Sequence, residues 1–374
     1  MWTIHLAGGP RKVNHASIEW KNKIISFGGY CSNEQPHRDI DVYCLDTDTY
    51  RWSALNTKHQ IEGRSLPCQR FGHTVIRYNN KAVLWGGRNE AEACSTLYTF
   101  DLENITWNEP TTHGYTPSGR DGHTATLIDD TMYIFGGFDS DEDEYSTDIW
   151  TLHIPSMTWR TLVTGGAPPA GRDFHSATAY GHCVYFFGGR IENRGLQPGF
   201  GDDDYDNTIY VFDSKKFLWY KPLVDNCSVS PIGRRSHSAF LYKDQIFILG
   251  GFNSILDRHF NDLWAFCLKT NRWHEMNCCG EPISMRRRHT TCIVQNRAIT
   301  FGGTSPIGGE IWNRLVDLDD LIVLDFAPSL LTLCLLRVKN FPLEVLDSLP
   351  KTIRYQLHCI TVPNRISRDA PWTG

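Results

Sequence analysis

Six histidines stand in register along the chain, His15, His73, His123, His175, His237 and His289, each 13 residues ahead of a Gly-Gly pair. Imidazoles in such number could ligate a metal or relay protons. Their regularity argues otherwise, because one histidine at the same place in every repeat is spread around a ring and makes the same structural hydrogen bond each time. The twelve cysteines include no Cys-x-x-Cys pair and no His/Cys spacing suited to zinc. None stands beside an oriented base, as a nucleophile would, and no Tyr-Cys-His-His set suggests copper. The glycine pairs are not a phosphate loop, since neither G-x-G-x-x-G nor G-x-x-x-x-G-K-[ST] opens a helix. The chain is therefore expected to be non-catalytic and to need no cofactor or metal.

The bases carry more information. Three residues before each histidine stands Lys12, Arg70, Arg120, Arg172, Arg234 or Arg286, a position filled in every repeat and so part of the fold. Extra bases are local: Arg88 and Arg190 directly follow a Gly-Gly, and Arg235, Arg287 and Arg288 precede the fifth and sixth histidines. Acidic residues belong to the same loops: Asp121, Asp173, the stretch from Asp139 to Glu144, and Asp202-Asp203-Asp204. Arginine forks bind carboxylates bidentately. A surface with separate basic and acidic sectors suits a peptide better than a nucleic-acid backbone; a solvated surface of mixed sign is the alternative.

These residues need a scaffold, and its repeat is visible. A Gly-Gly pair follows an apolar strand six times, at Gly28, Gly86, Gly136, Gly188, Gly250 and Gly302, with a period of 50 to 62 residues. Constant spacing inside a variable period separates a rigid two-strand unit from elastic loops. Downstream, Trp52, Trp107, Trp159, Trp219 and Trp273 each open a last strand, with Asp46, Asp101 and Asp213 six residues before three of them. The sixth repeat has Leu331 where its tryptophan should stand. Trp2-Thr3-Ile4-His5-Leu6 supplies the missing strand from the other end and closes the ring, as an open propeller would expose sheet edges.

Composition agrees. The 374 residues are 41% hydrophobic and 12% aromatic, with 31 glycines and 12 tryptophans, the makeup of a repetitive β protein. A net charge of −5 provides no global field for nucleic acid. No stretch approaches the ~20 apolar residues of a membrane span, and the first residues lack the features of a signal peptide. Cys183, Cys267 and Cys292 sit within apolar strand patterns and read as buried free thiols, which places the protein in the cytoplasm, with the nucleus as a second setting.

The repeats resemble the kelch family over roughly residues 1–325. The expected fold is all-β: a six-bladed kelch β-propeller over 1–326, closed by an N-terminal strand. A short C-terminal α-helical tail follows over 327–358, and a flexible segment over 359–374. In that tail Ser329 is a plausible N-cap, and Leu330, Leu331, Leu333, Cys334, Leu336 and Val338 recur at helical spacing. Ser329-Leu330-x-x-x-Cys334-x-x-x-Val338 resembles an elongin-C-binding box, and Leu349-Pro350-x-x-Ile353-x-x-x-Leu357 resembles the cullin-2 box that follows it in kelch-type receptors.

A kelch propeller with both boxes resembles the substrate receptors of cullin-2 ubiquitin ligases. The resemblance implies a subunit that joins elongin B/C, cullin-2 and its RING partner, and that binds C-terminal degrons ending in glycine for ubiquitination and proteasomal degradation. Carried over from a sister receptor, Arg190 matches the first carboxylate-binding arginine and Arg194, in a longer loop, the second. A Ser-Trp pair falls on Arg235 and Ser236, which exchanges an aromatic wall for a charge. A tyrosine becomes Phe138. Asp121 and Asp173 beside this clamp would favour Arg or Lys before the terminal glycine. Gly374 ends the sequence and makes the chain's own C-terminus a candidate ligand. The other function considered is a chromatin-binding kelch scaffold in meiotic recombination.

Overall fold

The computed structural model describes residues 1–32, 39–192, 203–224, 229–307, 314–342 and 346–367. Six antiparallel sheets form the blades of a propeller. Blade 1 comprises Ala16–Trp20, Lys23–Phe27, Val42–Asp46 and Arg51–Ala54, paired in that order from the axis outward. The first strands of successive blades touch one another around the axis, and blade 6 touches blade 1. Gly28 and Gly29 show why the paired glycines recur: both have positive φ (58° and 86°), and a Cβ on Gly28 would press on the Arg70 carbonyl and the His73 ring.

Packing is between blades. Phe27 and Val42 of blade 1 share a core with Leu84, Phe100 and Trp107 of blade 2, and Phe27 meets Trp107 edge-on at 5.7 Å. The last-strand tryptophans are all sealed in these seams. Blade 6 is Thr290–Val294, Arg297–Phe301 and Leu321–Asp325, completed by Trp2–Leu6, which runs antiparallel to Leu321–Asp325. The closure expected from Trp2 is what the structure shows.

The histidine ring is structural. Nε2 of His123, His175, His237, His289 and His15 shares a hydrogen bond of 2.8 to 3.2 Å with Thr74, Thr124, Ser176, Ser238 and Thr290, each the residue after the histidine of the preceding blade. Burial pushes His15, His123 and His237 down to about 3, so these imidazoles are neutral. His73 breaks the pattern: its donor position is Ala16, so no hydroxyl reaches its buried ring. An Ala16→Thr variant should supply the missing hydroxyl and stabilise the fold by about 1 kcal/mol. Chemical denaturation would read this as a raised midpoint at unchanged slope; an unchanged or lowered midpoint would contradict it.

Inside that ring runs a second one, made of backbone. The residue before each histidine has φ between 48° and 69°. Its N–H donates to the carbonyl of its counterpart in the preceding blade: Gly72 to Asn14, Gly122 to Gly72, Phe174 to Gly122, Ser236 to Phe174, Arg288 to Ser236, and Asn14 to Arg288. This closed head-to-tail cycle satisfies buried amides that no sheet could reach.

The chain leaves blade 6 into helix α1 (Leu330–Val338), capped by Ser329, whose hydroxyl accepts from Thr332 N at 3.0 Å. Helix α2 (Lys351–Thr361) follows. The flexible segment expected from residue 359 needs correcting. Helix α2 runs past that point, and Arg51 donates to the carbonyls of His358 and Val362 at its end. Buried Asn364 then accepts from Trp52 N and donates to the Tyr50 carbonyl, and Ser367 forms a parallel bridge with Ser53. The physical reason is edge protection. Blades 2 and 4 have their outer strand covered by a short parallel segment of the incoming linker, Lys58–His59 and Gly165–Gly166. Blade 1 has the chain's last described residues in that place.

Candidate peptide-binding mouth

The loops that open the first strands and those that follow the Gly-Gly pairs meet at one end of the propeller, away from the hairpin turns. The repeated bases are spent on the fold. Arg172 and Arg234 donate to the carbonyls of Gly188 and Gly250 at 2.9 and 3.0 Å. Five of the six also hold a carboxylate: Lys12–Asp41 at 2.7 Å, Arg120–Asp139 at 3.0 Å, Arg172–Asp206 at 3.6 Å, Arg234–Asp262 at 2.5 Å and Arg286–Asp320 at 2.7 Å.

The next residue in each repeat sorts the mouth by chemistry. From blade 1 to blade 6 it is Val13, Phe71, Asp121, Asp173, Arg235 and Arg287. One position thus gives an apolar sector, an acidic sector and a basic sector in sequence around the axis.

In the acidic sector, Arg190 pairs across the strand with Asp173. Its Nε donates to Asp173 Oδ1 at 3.1 Å and its Nη2 to Oδ2 at 2.5 Å. Asp173 is 1% exposed. Burial raises its carboxyl and the Arg190 fork draws it back down; burial would lower Arg190, but Asp173 raises it. This alters the role expected of Arg190: its fork already holds a carboxylate, so it is not a vacant clamp. Asp173 and Asp121 do not pair with Arg172 and Arg120, whose partners are Asp206 and Asp139. Asp121 faces Arg88 at 3.9 Å, and burial pushes it up to about 6. Asp203 stands 3.9 Å from both Arg190 and Arg235 and joins the two sectors. Phe138 packs edge-on against Tyr145 at 5.6 Å, and Arg190 lies over that tyrosine at 5.3 Å, so Phe138 belongs to the wall of this side. Arg194 and Asp202 lie outside the described residues, as does Gly374.

The basic sector is less neutralised. Arg235 and Arg287 are held by paired backbone hydrogen bonds to Phe252 and Thr304. Both guanidiniums lie over the Phe252 ring, at 5.9 and 4.3 Å. Arg287 is half-buried with its Nε unpartnered. Burial, then Arg288 and Arg235, push it down to about 10. Arg288 donates to the Tyr30 hydroxyl at 2.8 Å. Among the described residues no carboxylate lies within ion-pair distance of Arg287 or Arg288. Ser236 is buried in the backbone ring and forms part of the floor. A groove of about 960 Å³ runs from Arg88 and Tyr30 to Phe174 and Arg288, beside an axial cavity of about 130 Å³. Sequence reasoning expected Arg288 at the mouth with Arg190, Arg194 and Arg235 and noted Arg287 only as an extra base; the run Arg286-Arg287-Arg288 was the available signal.

The helices lie at the opposite end: α2 packs on Trp2–Leu6 and α1 on α2, and a cavity separates them from the hairpin turns at Asp48-Thr49 and Gln295-Asn296. On α1, Leu330 is 77% exposed, with Leu331 and Leu333 also open, and only Leu335 is buried. Cys334 is exposed and Val338 half-buried, so the residues of the elongin-box pattern are largely outward. The cullin-box pattern is split. Leu349 and Ile353 are half-buried and Pro350 is exposed, but Leu357 is buried at 6% and turned inward, so it is not available to a partner.

Comparison with known proteins places this geometry. The family model "KLHDC2/KLHL20/DRC7 Kelch-repeats domain" matches residues 14–197 and 72–303. Kelch domain-containing protein 3 of Homo sapiens is 42% identical over 382 residues, covering 98% of this chain and 97% of that one. Its Mus musculus counterpart is 41% identical over 379 residues, with 98% and 97% covered. Host cell factor 2 of Homo sapiens is 30% identical over 259 residues, 66% of this chain and 32% of that one.

Proposed function

Because the chain belongs to the kelch-repeat family and is a kelch-type protein-interaction scaffold, we propose that it is the substrate-recognition subunit of a cullin-2–elongin B/C ubiquitin ligase. Its mouth binds protein C-termini that end in glycine, and α1 docks elongin at the far end. The observation that carries the reading is Arg287, a half-buried guanidinium with an unpartnered Nε, flanked by Arg235 and Arg288 and with no carboxylate at ion-pair distance among the described residues, Asp257 acting on it only from farther off. Such a group calls for an anion from outside, and a terminal carboxylate meets its fork geometry. Glycine at the end suits a closely walled site because it has no side chain. The acidic sector of Asp121 and Asp173 then faces the residues just before the terminus and favours Arg or Lys there.

Peptides ending in Arg-Gly, measured by titration calorimetry or fluorescence anisotropy, test the reading. Arg287→Ala should weaken binding by about 2 kcal/mol, roughly thirtyfold. Amidating the peptide C-terminus should do comparable damage. Arg190→Ala should cost less, because it also frees Asp173. Equal affinity for acid and amide forms would remove the carboxylate from the account.

A further inference from the structure

One repeated base has no carboxylate. Arg70 is buried and donates to the carbonyls of Cys68 and Gly86, as its counterparts do to theirs. Asp41, Asp148, Asp262 and Asp320 stand five residues before the end of the third strand in blades 1, 3, 5 and 6; blade 4 has Thr208 there but pairs its base with Asp206, two residues earlier, where blade 2, with Thr96, has Cys94. Among the described residues no carboxylate lies within ion-pair distance of Arg70. What stands at its fork is sulfur: Arg70 Nη2 donates to Cys68 Sγ at 3.3 Å, and Asn89 Nδ2 to the same atom at 3.6 Å. On its other side, Cys94 Sγ lies 3.9 Å from Cys68 Sγ. Cys94 is buried, whereas Cys68 is half-buried and lines the wide groove of the mouth.

We propose that Cys68 is held as a thiolate in place of the missing carboxylate and that, with Cys94, it forms a peroxide-sensitive dithiol on the wall of the mouth. The assignment does not depend on what the mouth binds. The hydrogen bond with Cys94 is the largest cause that brings Cys68 down, to about 5; burial opposes it, and Arg70 and Asn89 assist. The same hydrogen bond raises Cys94, which stays a thiol. The chemistry follows from that division. The Cys68 thiolate attacks one oxygen of hydrogen peroxide, forms an S–O bond and expels hydroxide, leaving a sulfenic acid. The Cys94 sulfur then attacks Cys68 Sγ; an S–S bond forms, and the hydroxyl departs with the Cys94 proton as water. Two electrons pass from the sulfurs to peroxide. The sulfurs must close to about 2 Å, a side-chain movement. In the disulfide Arg70 loses its anionic neighbour, and reduction restores it.

The test uses the wild-type protein. With limiting iodoacetamide near pH 6.5, Cys68 should be alkylated at least about tenfold faster than exposed Cys279, because only the thiolate reacts. Stoichiometric peroxide should then remove the mass of two hydrogens, link the Cys68 and Cys94 peptides, and be reversed by dithiothreitol. In Cys94→Ser the link should be absent and a dimedone-trapped sulfenic acid should appear at Cys68. Alkylation of Cys68 no faster than Cys279, or a disulfide that joins other cysteines, would overturn the proposal.

Discussion

Deletion of residues 1–6 should leave a chain that no longer unfolds cooperatively and that aggregates. Trp2, Ile4 and Leu6 are all buried in the last strand of blade 6. Burying side chains of this size contributes about 1.5–3 kcal/mol each. Three of them therefore approach the ~5–15 kcal/mol that holds a typical domain together. The loss is also topological. Leu321–Asp325 is buried along its whole length and would become an open, apolar edge, the kind that recruits other chains. Differential scanning calorimetry and light scattering read both effects. Trp2→Ala is the milder form, with an expected cost of about 3–5 kcal/mol. A truncated protein that melts like the full chain would refute the closure.

Elongin capture should be lost altogether in a Leu330→Ala, Cys334→Phe double variant, with the propeller's melting temperature nearly unchanged. Both side chains are exposed on α1, so their replacement should move stability by no more than about 0.5 kcal/mol. Leu330 is the anchor an apolar groove would take up, and the Cys334 position requires a small residue for close helix approach. Leu335→Ala is the contrasting control, since Leu335 is the buried residue of α1 and its loss should destabilise the packing of the tail. Co-purification with elongin B/C, alongside retained binding of a glycine-ended peptide, separates docking from folding. Elongin held at normal strength by the double variant would exclude α1 as the docking helix. Nucleosomes recovered in place of elongins would favour the chromatin scaffold.

These two experiments address opposite ends of one molecule. The mouth gathers Asp173, Arg190, Arg235 and Arg287 at one end of the strands, while α1 and α2 lie at the other, beside the hairpin turns. A ligand in the mouth and a partner on α1 would not compete for space, as a receptor that presents one protein to another requires.

The repeat was legible in the sequence because its unit is local. The span from each histidine to its Gly-Gly is two strands and a turn, so its length cannot vary without breaking the hairpin. The absent sixth tryptophan and the spare Trp2 were legible for the same reason, as a gap and a piece of matching shape. The division of the mouth into Asp121 and Asp173 against Arg235 and Arg287 was also present, at a single repeat position. What only the tertiary structure decided are relations between positions that the chain keeps apart. Asn14, Gly72, Gly122, Phe174, Ser236 and Arg288 are of five residue types, yet they close one backbone ring, because six first strands converge on an axis. Arg190 looked free until the fold laid it across Asp173. Leu357 and Asn364 looked like partner contact and loose tail until blade 1 was found to need a cover for its outer edge. Charges and edges acquire their meaning from what the fold sets opposite them, across one strand pair for Arg190 and around the whole ring for the backbone cycle.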